Sequence, residues 1–229
     1  MIDFHTHILP CIDDGSKSPE ESMKMLEALK HQGVDTVALT PHFYANRMSV
    51  DEFLQRREES FKSLKPEGIN TLLGAEVRYF SGLSKMDDLL KLRLEGTKAI
   101  LIEMPFAKWS ELDLKEIISL ACDKDYVVVL AHIERYLPFQ DFKDIEYLID
   151  NGVYIQSNAE FFISPLSRRK ALRLLSQGYI HLLASDSHNL GVRAPNIKDA
   201  LDIITKKLGS ELKEEFCKRS DTLIKEWSL

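Results

Sequence analysis

The sequence is poor in the features that most quickly assign a function. It holds three cysteines, Cys11, Cys122 and Cys217, without any paired spacing. That argues against a disulfide framework and against a thiolate-rich zinc site, and it fits a reducing cytoplasm, the expected location. None of the three opens a Cys-x5-Arg loop, because the residues six positions on are Lys17, Val128 and Leu223. A phosphatase built on a cysteine nucleophile is therefore excluded, since it needs an arginine closing the phosphate loop. Basic runs are missing as well: 30 Lys and Arg stand against 36 Asp and Glu, a formal net charge of -6, so no nucleic-acid partner is expected. The start of the chain lacks a basic segment followed by a long apolar one, so no signal peptide is expected. The longest apolar run, YVVVLAHI from Tyr126, is too short to cross a bilayer, and no membrane insertion is expected. No glycine-rich fingerprint follows a strand candidate, which argues against a dinucleotide site. No linker rich in Pro, Gly or Ser divides the 229 residues, and one domain spanning 1–229 is expected.

What the chain does have is a steady alternation of short β-like runs with helical patterns. The runs rich in Val, Ile and Leu lie at 1–7, 34–42, 69–77, 99–105, 126–132, 153–158 and 179–188. Helix starts are legible between them. Ser18-Pro19-Glu20-Glu21 reads as a capping box with proline in the first turn, closed by Gly33, and Ser49 with Glu52 repeats the signature. Pro138, Pro165 and Pro195 each precede a helical pattern, and residues 80–96 form an extra excursion, expected to lie over one rim. Seven strands alternating with helices predict an α/β fold with a parallel sheet, closed or nearly closed into a barrel.

The polar residues fall at one place in this pattern. His5 and His7 end the first strand, on one face because they are two apart. His42 ends the second, Glu76 lies near the end of the third, Glu103 ends the fourth and His132 the fifth. Asn158 ends the sixth, and Asp186 and His188 the seventh. The C-terminal rim of the strands is where parallel β/α barrels carry their active sites. Carboxylates converging there would repel one another without a cation. Imidazoles mixed with carboxylates, and no clustered thiolates, suit Mn²⁺, Fe or Zn²⁺, and the donors exceed the needs of one ion, so two or three are expected. Cations about 3.5–4 Å apart are the usual apparatus for in-line displacement at phosphorus, where they generate hydroxide near neutral pH. His181 alternates onto the opposite face, and His31 sits in the last turn of the first helix, so neither belongs to the ring. Asp13 and Asp14 both lie in the loop after the first strand, and either could be a ligand, or Asp13 could instead mark a helix start or support a ligand from behind.

The motifs HTH and DDG (His5, His7, Asp13, Asp14, Gly15), TPH at His42, GAE at Glu76, IE at Glu103, AHIER at 131–135 and ASDSHN at 184–189 resemble the polymerase-and-histidinol-phosphatase (PHP) superfamily. In order and spacing they are most similar to the bacterial manganese-dependent tyrosine phosphatases of capsule and exopolysaccharide operons, over residues 1 to about 208. The resemblance implies a distorted parallel (β/α)7 barrel and a trinuclear Mn²⁺ centre, with Fe or Zn²⁺ possible in its place. It implies that His5, His7, Glu76 and Asp186 hold one ion, that Glu76, Glu103 and His132 hold a second, and that Asp14, His42 and His188 hold the third. Arg135 and Arg193 lie just past ligand-bearing strand ends, where guanidinium groups can grip phosphate. Phe43, Tyr44, Phe106 and Trp109 follow ring residues and could wall an aromatic pocket. The implied activity is hydrolysis of phosphotyrosine on a protein, the implied partner a bacterial tyrosine kinase. A histidinol phosphatase or another small-molecule phosphatase of the superfamily is the alternative, and a non-catalytic metal-stabilised module a third reading.

Overall fold

A computed structural model of the chain describes residues 1–229. In chain order the elements are β1 (Ile2–Thr6), α1 (Pro19–His31), β2 (Thr36–Leu39), β3 (His42–Phe43), α2 (Val50–Lys62), β4 (Asn70–Leu73) and β5 (Glu76–Arg78). Then come β6 (Ala99–Glu103), α3 (Glu111–Ala121), β7 (Val127–Leu130), α4 (Phe142–Asp150), β8 (Tyr154–Asn158), α5 (Ala159–Ile163) and α6 (Arg168–Ser176). The chain closes with β9 (Leu182–Ala184), α7 (Ile197–Leu208) and α8 (Ser210–Glu226). The helix starts are capped as their residues dictate: Ser18 accepts from the Glu21 N–H, Ser49 from the Glu52 N–H, and Ser110 and Asp113 form a reciprocal box on α3.

Every strand pairing is parallel. Six strands form one curled sheet in the order β3-β5-β6-β7-β8-β9, and three form another in the order β1-β2-β4. The second and third expected strands are each broken in two. Pro41, which has no N–H to donate, separates β2 from β3, and Gly74 separates β4 from β5. At its C-terminal end β1 meets the chain beyond β9: the Asp186 N–H donates to the His5 carbonyl and the His7 N–H to the Ser187 carbonyl, both at 2.9 Å.

Side chains from β1, β2, β6, β7 and β9 make one inner apolar layer, including Phe4, Ala38, Leu101, Val129 and Ala184. Trp227, at the end of α8, is buried in the same layer against Phe4 and Tyr154. The tail after Leu208, featureless in sequence, thus supplies an aromatic plug. Larger apolar clusters lie between the sheets and the helices. Residues 80–96 are not an excursion over a rim. They form the connection from β5 to the parallel β6, with Leu83, Leu89 and Leu92 buried in the core cluster that includes α3. The register of β1 on β2 slips between Asp3 and Thr6. Such a slip reverses side-chain alternation, so Phe4 joins the inner layer while His5 and His7 also turn inward just above it. No helix is long and apolar enough to cross a membrane.

Candidate metal centre

The strand ends gather the sequence-predicted residues into one buried cluster. His5, His7 and His132 are fully buried, and Glu76, Glu103, Asp186 and His188 nearly so. His42, 16% exposed at its side chain, and Asp14, 63% exposed, stand at the mouth. Three groups of donor atoms come together: His7, Asp14, His42 and His188; His5, His7 and Asp186; and His42, Glu76 and Glu103. Glu76 is the hub. Its carboxylate lies 2.8 Å from His132 Nε2, 2.7 Å from His42 Nδ1, 3.4 Å from His5 Nε2 and 3.3 Å from His7 Nε2. His132 also approaches Glu103, at 3.5 Å. His42 thus faces both ways, with Nδ1 toward Glu76 and Nε2 toward Asp14 at 3.4 Å.

Asp13 and Asp14 occupy different environments. Asp13 Oδ2 accepts from His7 Nδ1 at 2.7 Å and from the His42 N–H at 3.0 Å, while its Oδ1 accepts from the Gly15 N–H. It therefore orients His7 from behind, turning Nε2 toward the cluster. The loop can close this tightly because residue 15 is glycine: a Cβ there would fall 2.0 Å from the His7 carbonyl oxygen. Asp14 carries its carboxylate to within 3.5 Å of both His42 and His188.

The donor atoms suit divalent cations. His5 Nε2 and His7 Nε2 face each other at 3.0 Å, although the hydrogen bond to Asp13 assigns the His7 proton to Nδ1. His42 Nδ1 and Glu76 Oε2 lie 2.7 Å apart without the alignment of a hydrogen bond, and both are buried with no partner. His188 donates from Nδ1 to the Asp186 carbonyl, which leaves Nε2 buried and unpartnered. Unsatisfied buried acceptors cost about 1–3 kcal/mol each, and cations held between them would satisfy them. Charge points the same way. Burial opposes a charge on His7, yet Asp13 and Glu76 raise it to about 10. Burial likewise opposes His132, yet Glu103 and Glu76 raise it to about 9. Against the cost of burial, the surrounding histidines hold Glu76 well below the usual carboxylate range. The buried carboxylates thus draw positive charge onto the cluster, which bound cations would supply in place of these protons.

Arg135 and Arg193 converge on it from the rim. Each donates from Nη2 to Asp186 Oδ2 at 2.7 Å, and Asn158 Nδ2 donates to the same oxygen at 2.8 Å. With Oδ2 saturated, Oδ1 is left facing His5, His7 and His188 at 3.5–3.7 Å. Both guanidinium groups line a 780 Å³ cleft whose walls include His42, Tyr44, Arg78 and Phe106. Of the four aromatic wall candidates, Tyr44 and Phe106 line this cleft, while Phe43 and Trp109 are buried in the core, Phe43 against Phe53. Arg78 was missed in the sequence. It donates to Glu103 at 2.7 Å and its guanidinium lies 5.2 Å from the centre of the Phe106 ring. The signal was its place two residues past Glu76, hence on the same strand face. Gln156, fully buried beside His5 and His132, was also missed. His181 lies off the site, accepting from the Ile155 N–H, and His31 is exposed beside Glu27.

The fold and the site define an α/β protein with histidines and carboxylates gathered into candidate metal-binding clusters at the ends of parallel strands. The chain belongs to the family described as capsular polysaccharide synthesis, CpsB/CapC, which it matches over residues 1–225. It is 34% identical to the tyrosine-protein phosphatase YwqE of Bacillus subtilis (strain 168), across 98% of this chain and 92% of that protein. It is 32% identical to the tyrosine-protein phosphatase CpsB of Streptococcus pneumoniae, across 94% of each. A crystal structure from work on these two proteins, described as unique metal-dependent tyrosine phosphatases, superposes with a TM-score of 0.82 at 28% identity, covering 100% of this chain and 96% of the other.

Proposed function

We propose that this chain is a metal-dependent phosphomonoester hydrolase that removes phosphate from tyrosine on a protein, a bacterial tyrosine kinase of capsule or exopolysaccharide synthesis being the partner. The observation that carries the reading is the convergence of unpartnered buried imidazole and carboxylate atoms, from separate strand ends, beneath a cleft edged by two arginines. The relatives named tyrosine phosphatases support it across nearly the full chain. On this reading the two sheets make a distorted (β/α)7 barrel of the PHP superfamily, residues 1–229 are one domain, and the enzyme works in the cytoplasm.

His5, His7, Glu76 and Asp186 would hold one cation, Glu76, Glu103 and His132 a second, and Asp14, His42 and His188 a third, with Mn²⁺ the expected metal. Cations in such a set activate water near neutral pH and polarise phosphoryl oxygens. Arg135 and Arg193 bind the phosphate from the rim with the nitrogens not committed to Asp186, and charge-assisted contacts of this kind are strong. Tyr44 and Phe106 hold the tyrosine ring at the cleft wall. The leaving phenolate belongs to an acid with a pKa near 10, so it departs without a dedicated general acid. Asp13 keeps the His7 proton on Nδ1 throughout.

The test is a kinetic panel with Mn²⁺ present, comparing a phosphotyrosine peptide, histidinol phosphate and a simple aryl phosphate. A kcat/KM highest for the phosphotyrosine peptide is expected. A preference for histidinol phosphate would move the assignment to small-molecule phosphatases, and no turnover of any of the three would remove it.

A further inference from the structure

The strand β8 brings neither a histidine nor a carboxylate to the cluster, yet it lies between β7, which leads into His132, and β9, which leads into Asp186. Two of its side chains, Gln156 and Asn158, stand two residues apart on one face, 0% and 6% exposed. Their hydrogen bonds can run in one direction only. A backbone N–H is always a donor, so the His132 N–H, 2.8 Å away, identifies Oε1 of Gln156 as the acceptor. Nε2 of Gln156 must then donate, and it does so to Asn158 Oδ1 at 2.8 Å. That leaves Asn158 Nδ2 to donate to Asp186 Oδ2, again at 2.8 Å. His5 Nδ1 lies 3.3 Å from the same Gln156 Oε1. Facing an acceptor, Nδ1 must carry the proton, and His5 Nε2 is the bare nitrogen turned toward His7, Glu76 and Asp186.

One backbone donor therefore sets the polarity of a chain that touches three of the proposed ligand residues. We propose that Gln156 and Asn158 are positioning residues for the metal centre, acting in series. Gln156 selects the His5 tautomer and holds the backbone of His132, whose φ of +33° lies in the left-handed region. Asn158 takes its own orientation from Gln156 and presents the proton that keeps Asp186 Oδ2 occupied. The inference rests on the metal-centre reading above. Neutral amides suit this position because a carboxylate at 156 could not donate to Asn158, and a carboxylate at 158 would meet Asp186 across 2.8 Å.

The test is equilibrium Mn²⁺ binding to the purified full chain, followed by electron paramagnetic resonance of the free ion, for wild type, Gln156→Leu, Asn158→Ala and the double variant. Loss of an outer partner of a metal ligand typically weakens binding by about 10–100-fold. We expect Gln156→Leu in that range and Asn158→Ala at about tenfold. Because the two act in series, the double variant should bind Mn²⁺ no more weakly than Gln156→Leu alone, the non-additivity that coupled residues show. Losses that multiply in the double variant would overturn the relay, and so would a Gln156→Leu protein with wild-type affinity. If Gln156→Leu does not fold, Asn158→Ala decides alone: wild-type affinity overturns the proposal, and weaker binding at an unchanged melting temperature upholds it. Wild-type protein that binds no Mn²⁺ would instead bring down the metal-centre reading itself, an outcome distinct from the others.

Discussion

Replacing Arg193 by alanine separates phosphate binding from assembly of the cluster. In the intact protein three donors occupy Asp186 Oδ2, from Arg135, Arg193 and Asn158, at 2.7, 2.7 and 2.8 Å. Arg193→Ala removes one and leaves two, so Mn²⁺ affinity should fall by no more than the roughly tenfold expected for Asn158→Ala, and the metal content of protein loaded at saturating Mn²⁺ should be unchanged. What disappears is a guanidinium lining the 780 Å³ cleft, with nitrogens free to meet a phosphate. A preorganised donor that strengthens its contact as charge develops contributes about 2.7–4 kcal/mol to the transition state. We therefore expect kcat/KM for an aryl phosphate to fall by about 10²- to 10³-fold, at 1.36 kcal/mol per decade. Arg135→Ala should behave alike. His42→Ala and His188→Ala should instead lose metal and activity together, since each removes a proposed ligand. Elemental analysis and steady-state kinetics on the same preparations read both quantities. If the arginine variants lose metal, their contacts to Asp186 are what matters and the phosphate-clamp role is refuted. If they keep both metal and full activity, phosphate binds elsewhere and the phosphoester reading of the cleft fails.

Other consequences are directly measurable. Chelation should abolish phosphatase turnover, with Mn²⁺ restoring it better than Mg²⁺ or Ca²⁺; full activity after prolonged dialysis against EDTA would exclude the metal mechanism. Replacing Cys11, Cys122 and Cys217 together by serine should leave turnover within about tenfold, roughly 1.4 kcal/mol of barrier, whereas a loss of several orders of magnitude in a folded variant would reinstate a thiol nucleophile. His181, lowered from 6.5 to about 4 by burial and by the charge of Arg219, is neutral in the native state where the unfolded chain would already be protonated. Its contribution to stability is present above pH 6.5 and is lost as pH falls toward 4, on the order of 3 kcal/mol in all. The stability difference between wild type and His181→Asn in urea unfolding should therefore shrink between pH 7 and pH 4.5, and a constant difference would contradict this account.

The ring of candidate ligands was legible because strand ends and alternation are local properties. A histidine at the end of a run such as YVVVLAH must emerge at one rim whatever the rest of the chain does. The broken strands were less legible. Pro41 and Gly74 sit inside runs whose apolar content reads as continuous, and only the missing N–H at Pro41 hints at the interruption between Thr36–Leu39 and His42–Phe43. The connection at 80–96 looked like an ornament because it lacks helical periodicity. In the fold it does the work of a crossover helix with short turns and three buried leucines. Trp227 could not be placed at all, since a plug against Phe4 and Tyr154 depends on contacts more than 70 residues apart in the chain and on the curl of a sheet.

The residues that escaped share a chemical character. Gln156 and Arg78 do not resemble metal ligands by type, and even for a named candidate such as Asp13 composition cannot tell a ligand from the group that aims it. Asp13 and Asp14 are adjacent and chemically identical, yet one turns inward to His7 Nδ1 and the His42 N–H while the other faces His42 and His188 from the mouth. Their difference comes from the turn at Gly15, whose missing Cβ lets the loop press against His7. Gln156 would pass in sequence for an ordinary polar residue in a strand, and its meaning rests on the single fact that a backbone N–H from the neighbouring strand's end points at its oxygen. Ligand identity is thus written in residue type and period. Ligand orientation is written in hydrogen bonds between segments distant in the chain, and those exist only once the sheet has curled.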